Sequence, residues 1–139
     1  PAAASPKLAA AVRAVFGAPP ARLDAGAACD RFFLDGWRLA EAQQGKARIL
    51  DGRGRFVITA SGQTLVVHLA QGEKAGPIPR TLHLSWVGGA ATAPVTQGAA
   101  RFEGLPLASG DATILALEGE PYDAGIAIAA IESPKREEP

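Results

Sequence analysis

The sequence predicts a mainly β protein, an antiparallel β-sandwich or barrel of about eight strands with one short N-terminal amphipathic helix. In residues 64–70, Leu65, Val67 and Leu69 fall on one face, and residues 81–87 alternate in the same way. Such alternation is typical of half-buried antiparallel strands. No helical pattern alternates with the strands, which disfavours a parallel βαβ sheet.

The length and charge of the chain limit the classes of protein that it can belong to. Its 139 residues fit a single domain over 1–139, which is long enough to bury a core. We divide it into a helical and irregular segment over 1–30, a β-domain over 31–132 and a solvated tail over 133–139. The formal net charge is zero, so nucleic acid is not an expected partner. The longest apolar run is too short to cross a bilayer, which takes about 20 residues.

The N-terminal helix is predicted over residues 6–16. Ser5-Pro6 is a helix-start signal, because serine caps the first turn and proline suits the first helical position. One apolar stripe follows at helical spacing, formed by Leu8, Val12, Val15 and Phe16. Gly17 and Pro19-Pro20 then stop the helix.

Eight runs of the β-domain are predicted to be strands. Residues 37–43 and 46–50 form a hairpin that turns at Gln44-Gly45. The six other strands are predicted at 56–60, 64–70, 81–87, 99–103, 112–118 and 126–131. Glycine- and proline-rich turns separate them, at the spacing of a sandwich or barrel.

Two stretches of the chain, 55–73 and 101–120, read alike. Each has a strand-like run, a small polar turn and a second strand-like run, and each contains a late Gly-Glu pair, Gly72-Glu73 and Gly119-Glu120. The similarity predicts repeated β-hairpins in one sheet-built domain.

The stretch from Gly98 to Gly110 contains Arg101-Phe102-Glu103-Gly104-Leu105-Pro106. It resembles the Gly-x-Phe-x-Phe-x-Gly-Leu-Pro segment of carboxypeptidase-regulatory and transthyretin-type β-sandwich domains. It departs from them in the next strand, where Thr113 and Ile114 stand in place of an aromatic residue. The resemblance implies a sandwich of seven or eight strands and brings no active-site residues with it.

His68 and His83 are the two histidines of the chain. If 64–70 and 81–87 pair as a symmetric hairpin, His68 lies directly opposite His83 and every apolar residue meets an apolar partner. Opposed Cβ atoms lie about 4.5–5.5 Å apart, so the two imidazoles could share Zn²⁺, Cu²⁺ or Ni²⁺. The alternative is a pair of exposed, titratable histidines, because zinc sites take three or four protein ligands.

Phe32, Phe33 and Trp37 form an aromatic group in the least regular part of the β-domain. They either cover the open end of the core or anchor a partner, as aromatic hot spots do.

The other reactive residue types form no catalytic signature. Cys29 is the one cysteine, which rules out an internal disulfide, and its small-residue neighbours favour a buried thiol over a nucleophile. Asp111, Glu120 and Asp123 could approach one another around Ca²⁺, but the loop lacks a calcium-binding pattern. We therefore expect no cofactor.

Three functions remain open from the sequence. The first is a non-catalytic binding or assembly module of a bacterial envelope or secretion system, which contacts another protein through a sheet edge or its N-terminal helix. The second is a small metal-binding protein or hydrolase that uses His68 and His83. The third is a cytoplasmic inhibitor or immunity protein. The chain contains no methionine and begins with alanine and proline, so we expect a processed periplasmic or secreted protein, with a cytoplasmic one as the alternative.

Overall fold

The computed structural model describes Ala14 and residues 20–24, 32–42, 45–50, 52–70, 80–86, 88–107, 112–120 and 126–134. This part of the chain forms ten β-strands. In chain order they are β1 (Arg22–Asp24), β2 (Trp37–Ala42), β3 (Gly45–Leu50), β4 (Arg53–Thr59), β5 (Leu65–Leu69), β6 (Thr81–Trp86), β7 (Gly89–Thr96), β8 (Ala99–Phe102), β9 (Ala112–Glu120) and β10 (Ile126–Glu132). All of their pairings are antiparallel, so the predicted mainly β, antiparallel class is confirmed.

The predicted helix over 6–16 lies outside the described residues, apart from Ala14, whose backbone is helical. Within the described ranges there is no helix long and apolar enough to cross a bilayer.

The strands follow one another in the order β2-β3-β10-β5-β8-β7-β6-β9-β4. β7 joins two curved sheets, because its first six residues pair with β6 and its last two pair with β8. We call the β2-β3-β10-β5-β8 side sheet A and the β6-β9-β4 side sheet B.

The short segments that precede β1 and β2 are hydrogen-bonded to β4, the last strand in this order. β1 pairs with β10, and the carbonyl of Pro20, just before β1, accepts a hydrogen bond from Thr59 N at the end of β4. At the other end of β4, Leu34 N donates to the Arg55 carbonyl and Arg55 N donates to the Asp35 carbonyl. The sandwich is therefore nearly closed into a barrel, since the outer edge of β4 is hydrogen-bonded at both ends.

The core lies between the two sheets and is made of large apolar side chains. The largest fully buried ones include Phe56 and Ile58 from sheet B and Leu65 and Ile128 from sheet A. In β6 alternate residues are buried, as the sequence pattern predicted. β4, β5 and β10 instead bury consecutive residues, so both faces of these strands are largely covered. β1 also contributes, because Leu23 is 0% exposed.

The predicted hairpin of residues 37–50 is confirmed. β2 and β3 pair from Trp37↔Leu50 to Ala42↔Gly45, so Gly45, which was predicted to lie in the turn, is the first residue of β3.

The repeated hairpins predicted over 55–73 and 101–120 are wrong. β4 pairs with β9 in sheet B while β5 pairs with β10 and β8 in sheet A. β8 and β9 are likewise in different sheets. Each similar stretch is thus a strand, a crossing connection and a strand of the opposite sheet. Alternation specifies which face of a strand is buried, but it does not specify which neighbour pairs with it.

Two features differ from the predicted division of the chain. β1 lies in the segment that was predicted to be helical and irregular. Ser133, the first residue of the predicted solvated tail, is 2% exposed, and its hydroxyl accepts a hydrogen bond from Ser61 N at 2.9 Å.

Candidate protein-binding edge

β7 is bounded by two tight connections that contain glycine. The pair Trp86↔Gly89 closes a two-residue turn before it, and Gly88 in that turn has φ 102°. The pair Thr96↔Ala99 closes a second turn after it, in which Gln97 has φ 52° and Gly98 has φ 78°. In the second turn, positive φ at both central residues is the geometry of a hairpin turn that matches the strand twist. These turns place β7 between β6 and β8.

The pairing of β7 with β6 determines where its backbone groups point. Val95 N donates to the Arg80 carbonyl at 2.9 Å, and hydrogen-bonded pairs alternate along an antiparallel ladder. With the register Leu82↔Ala93 and Leu84↔Ala91, the N–H groups of Ala91 and Ala93 face β6. The backbone groups of Ala90 and Thr92 therefore point away from β6.

The outer side of β7 is unpaired over residues 89–94 within the part of the chain that the structure describes. β8 pairs only with Val95 and Thr96 of this strand, and the two strands separate beyond that point. Gly89, Ala90, Thr92 and Pro94 are exposed. Pro94 has no N–H. Because the backbone groups of this residue point away from β6, the ladder between β6 and β7 loses no hydrogen bond. We call the outward backbone groups of residues 89–94 the β7 edge.

β1, β2 and β4 also pair with a strand on one side only, with β10, β3 and β9 in turn. The outer edge of β4 is hydrogen-bonded at both ends, and one end of β2 is attached to sheet B, because Trp37 Nε1 donates to the Arg55 carbonyl at 2.7 Å. The β7 edge has no such attachment from the described residues.

The structure separates the two histidines, so the predicted hairpin of 64–70 with 81–87 is wrong. His68 on β5 stands opposite Ala99 and Ala130 in sheet A. His83 on β6 stands opposite Thr92 and Glu118 in sheet B. The arrangement that suggested a shared metal ion is therefore not formed. Within the described ranges there is also no group of three or more potential metal-ligating side chains.

Each histidine instead lies in a row of charged groups on the outside of its own sheet. In sheet A, His68 Nε2 is 3.2 Å from Glu132 Oε1, and Arg22 donates to the other oxygen of Glu132. In sheet B, Glu118 lies beside His83, and its Oε1 is 3.7 Å from Arg53 Nε. Both rows run His–Glu–Arg across three adjacent strands.

The charged row of sheet A affects the acidity of its central carboxylate. Partial burial acts to raise the pKa of Glu132, but hydrogen bonds from His68 and Arg22 outweigh it and hold that pKa below the usual range. A carboxylate that is paired in this way is a structural link between β5, β10 and β1. The contacts described for the row are those of an ion-pair network.

The predicted aromatic group lies at the end of the core. Phe32 is 3% and Phe33 is 6% exposed, and Phe33 meets the Trp37 ring edge-on at 5.1 Å. The guanidinium of Arg48, itself 5% exposed, lies 4.8 Å from the centre of the Phe33 ring. These rings therefore cover the core in this structure, and a partner that contacts them stays a prediction.

Other residues singled out from the sequence lie outside the part of the chain that the structure describes. Cys29, Asp111 and Asp123 lie outside the described ranges, and of Glu120 only the backbone is described.

Sequence reasoning missed β7. Its residues are mostly alanine, glycine and threonine, which have little apolar alternation to detect. Two signals were present: Pro94, which strands tolerate mainly at an edge, and the glycines at both of its ends.

Comparison with known proteins gives little similarity. No family model matches the chain, and no curated protein does. Among solved structures, the exo-β-1,3-galactanase of Phanerochaete chrysosporium with galactose matches with a TM-score of 0.49 and 16% identity, over 79% of this chain and 28% of the enzyme. A variant of that enzyme with β-1,3-galactotriose matches with a TM-score of 0.48 and 11% identity, over 83% of this chain and 29% of the enzyme. The chain thus spans less than a third of that enzyme's length. The resemblance to carboxypeptidase-regulatory and transthyretin-type domains stays a prediction.

Proposed function

We propose that this chain is a non-catalytic binding module that takes up an extended strand of another protein at the β7 edge. The observation that supports the proposal is the row of outward backbone groups at Ala90 and Thr92, exposed and unpaired within the described structure. A partner strand that adds to such an edge gains main-chain hydrogen bonds, and side chains on alternate positions give specificity.

The composition of the edge favours this use. Exposed edges are usually blunted by lysine, a bulge or a central proline. β7 has no charged residue, and its Pro94 lies near one end of the strand. The stretch from Gly89 to Ala93 is therefore open to pairing.

The proposal can be tested with a pair of substitutions at one position. Thr92→Pro removes the outward N–H and leaves the β6 ladder intact, as Pro94 does two residues later. Thr92→Val changes the side chain but keeps the N–H. Proteins from the source cell that bind the wild type and Thr92→Val, and are lost with Thr92→Pro, are edge partners. In the purified complex, the amides of Ala90 and Thr92 should gain protection from hydrogen exchange. A partner that binds Thr92→Pro equally well would overturn the proposal.

The metal-binding or hydrolase alternative is tested on the same preparation. Protein purified without a histidine tag is analysed for bound metal, and His83→Ala is compared with the wild type. One metal ion per chain that is lost in His83→Ala would favour that alternative over a binding module.

A location in the bacterial envelope belongs to the proposal as well. The single cysteine, which cannot form an internal disulfide, is compatible with the envelope and with the cytoplasm. Fractionation of the source cell with an antibody to the chain tests this location, and recovery in the cytoplasm alone would favour an inhibitor or immunity protein.

A further inference from the structure

We infer that the β7 edge also pairs with the β7 edge of a second copy of this chain, antiparallel and centred on Ala91. This dimer uses the same edge as the proposed function, but the strand bound there belongs to a second copy of the chain and not to another protein.

The first reason is the match of donors and acceptors. Ala90 and Thr92 each point an N–H and a carbonyl outward, as derived from the register with β6. When Ala90 of one copy faces Thr92 of the other, both residues exchange a pair of hydrogen bonds, and the two-fold axis repeats the exchange. At Ala90 and Thr92, each outward donor therefore meets an outward acceptor of the second copy.

The second reason is the position of Pro94. In the register centred on Ala91, Pro94 faces Gly88 of the second copy, so the Pro94 carbonyl can accept a bond from that glycine. Gly88 is exposed, and a Cβ placed on it would have nothing within 4 Å, which leaves room for a neighbouring strand. Pro94 has no N–H, so the carbonyl opposite it lacks a donor in either register. In a register centred on Thr92 that carbonyl belongs to Ala90, within the edge, whereas in the register centred on Ala91 it belongs to Gly88, in the exposed turn before the strand.

The third reason is charge. No residue of β7 is charged, so a two-fold axis through Ala91 opposes no like charges along the ladder. Edges that resist self-pairing commonly place lysine at these positions.

The dimer is expected to be a weak one. The outward side chains are alanine, threonine and glycine, and the interface falls below the area of about 1,200 Å² that stable complexes bury. We expect a dissociation constant on the order of 0.1–1 mM, which corresponds to a small net binding free energy. A partner strand that also supplies side-chain contacts would then displace the second copy from the β7 edge.

Amide hydrogen exchange of the pure wild-type protein at increasing concentration tests the inference. The amides of Ala90 and Thr92 should exchange rapidly in dilute protein and become about two- to fivefold protected near 1 mM, since protection follows the occupied fraction. The amides of Ala91 and Ala93 face β6 and should be protected at every concentration, which makes them an internal control. Sedimentation equilibrium over the same range should show the dimer.

Three substitutions sharpen the test. Thr92→Pro should remove the concentration dependence, Thr92→Val should keep it, and Pro94→Ala should strengthen it by adding a donor that faces Gly88. A protein that stays monomeric near 1 mM, or a dimer that Thr92→Pro leaves intact, overturns the inference. Failure here does not affect the proposed function, because a partner complex that protects Ala90 and Thr92 would still stand.

Discussion

Gly36 lies against the backbone of Arg53 so closely that no side chain fits between them. A Cβ on Gly36 would be 2.0 Å from the Arg53 carbonyl oxygen, and the residue has φ +87°. The contact positions Asp35, whose carboxylate binds Arg55 through Nε at 2.6 Å and Nη2 at 2.8 Å. This turn fastens the segment before β2 to the outer edge of β4.

Replacement of Gly36 by alanine should therefore destabilise the protein strongly. Unfavourable φ and steric overlap together should cost about 2–4 kcal/mol of unfolding free energy. Gly52 is the matched control, because it has φ +75° and a Cβ there would meet nothing within 4 Å. Gly52→Ala should cost only about 1 kcal/mol. Urea unfolding of both variants measures the difference, and equal losses would contradict the close contact.

Replacement of Glu132 by glutamine should weaken the link between β10, β5 and β1. The expected loss at neutral pH is about 0.5–1 kcal/mol, because the ion pairs are partly exposed. Glu103→Gln is the control, since its pair with Arg101 has side chains 60% and 67% exposed and should contribute less. Chemical unfolding at pH 7 compares the two variants.

The contribution of Glu132 should also depend on pH. Its pKa in the folded protein lies below the usual range, so its charge stabilises the fold fully above the pKa of the unfolded chain. That stabilisation is lost as pH falls below the usual value of 4.5 and through the lower folded value. The stability difference between wild type and Glu132→Gln should shrink over this window. A difference that stays constant from pH 7 to pH 3 would show that the charge is not the cause.

Replacement of Phe33 by alanine should lower stability by about 3–4 kcal/mol, because a buried ring and its contact with Trp37 are lost. Trp37→Phe should cost about 1 kcal/mol, chiefly through loss of the hydrogen bond from Nε1 to the Arg55 carbonyl. Thermal unfolding of the two variants provides the comparison. A folded, fully stable Phe33→Ala would indicate that the ring is available to a partner instead.

The strands themselves were predictable from the sequence, but their partners were not. Alternation in Leu65, Val67 and Leu69 identified a strand and its buried face. The neighbour in sequence, β6, is not its neighbour in space, because the connection from β5 leads to the other sheet. Local patterns determine which residues are buried, whereas long-range packing selects the pairing. His68 and His83 were wrongly predicted to lie opposite each other for the same reason, because the pairing of their strands could not be determined from local sequence.

The candidate edge was less predictable than the core. β7 has few apolar residues, so it gave no alternation, and its single Pro94 could be interpreted only once the register with β6 was known. The ion pair of Glu132 with Arg22 spans most of the chain, and no local pattern relates two residues so far apart.

β10 has a consequence for how the chain reaches its native state. It is the last of the described strands in chain order, and it pairs with β1, β3 and β5. Sheet A therefore cannot be completed until residues 126–132 have been synthesised. Until then, β1, β3 and β5 lack their pairing with β10, and the corresponding strand edges stay exposed. Folding that depends on such distant contacts is slow, and a nascent chain in this condition is prone to aggregate. Chaperone binding during synthesis should consequently end only when β10 has emerged from the ribosome.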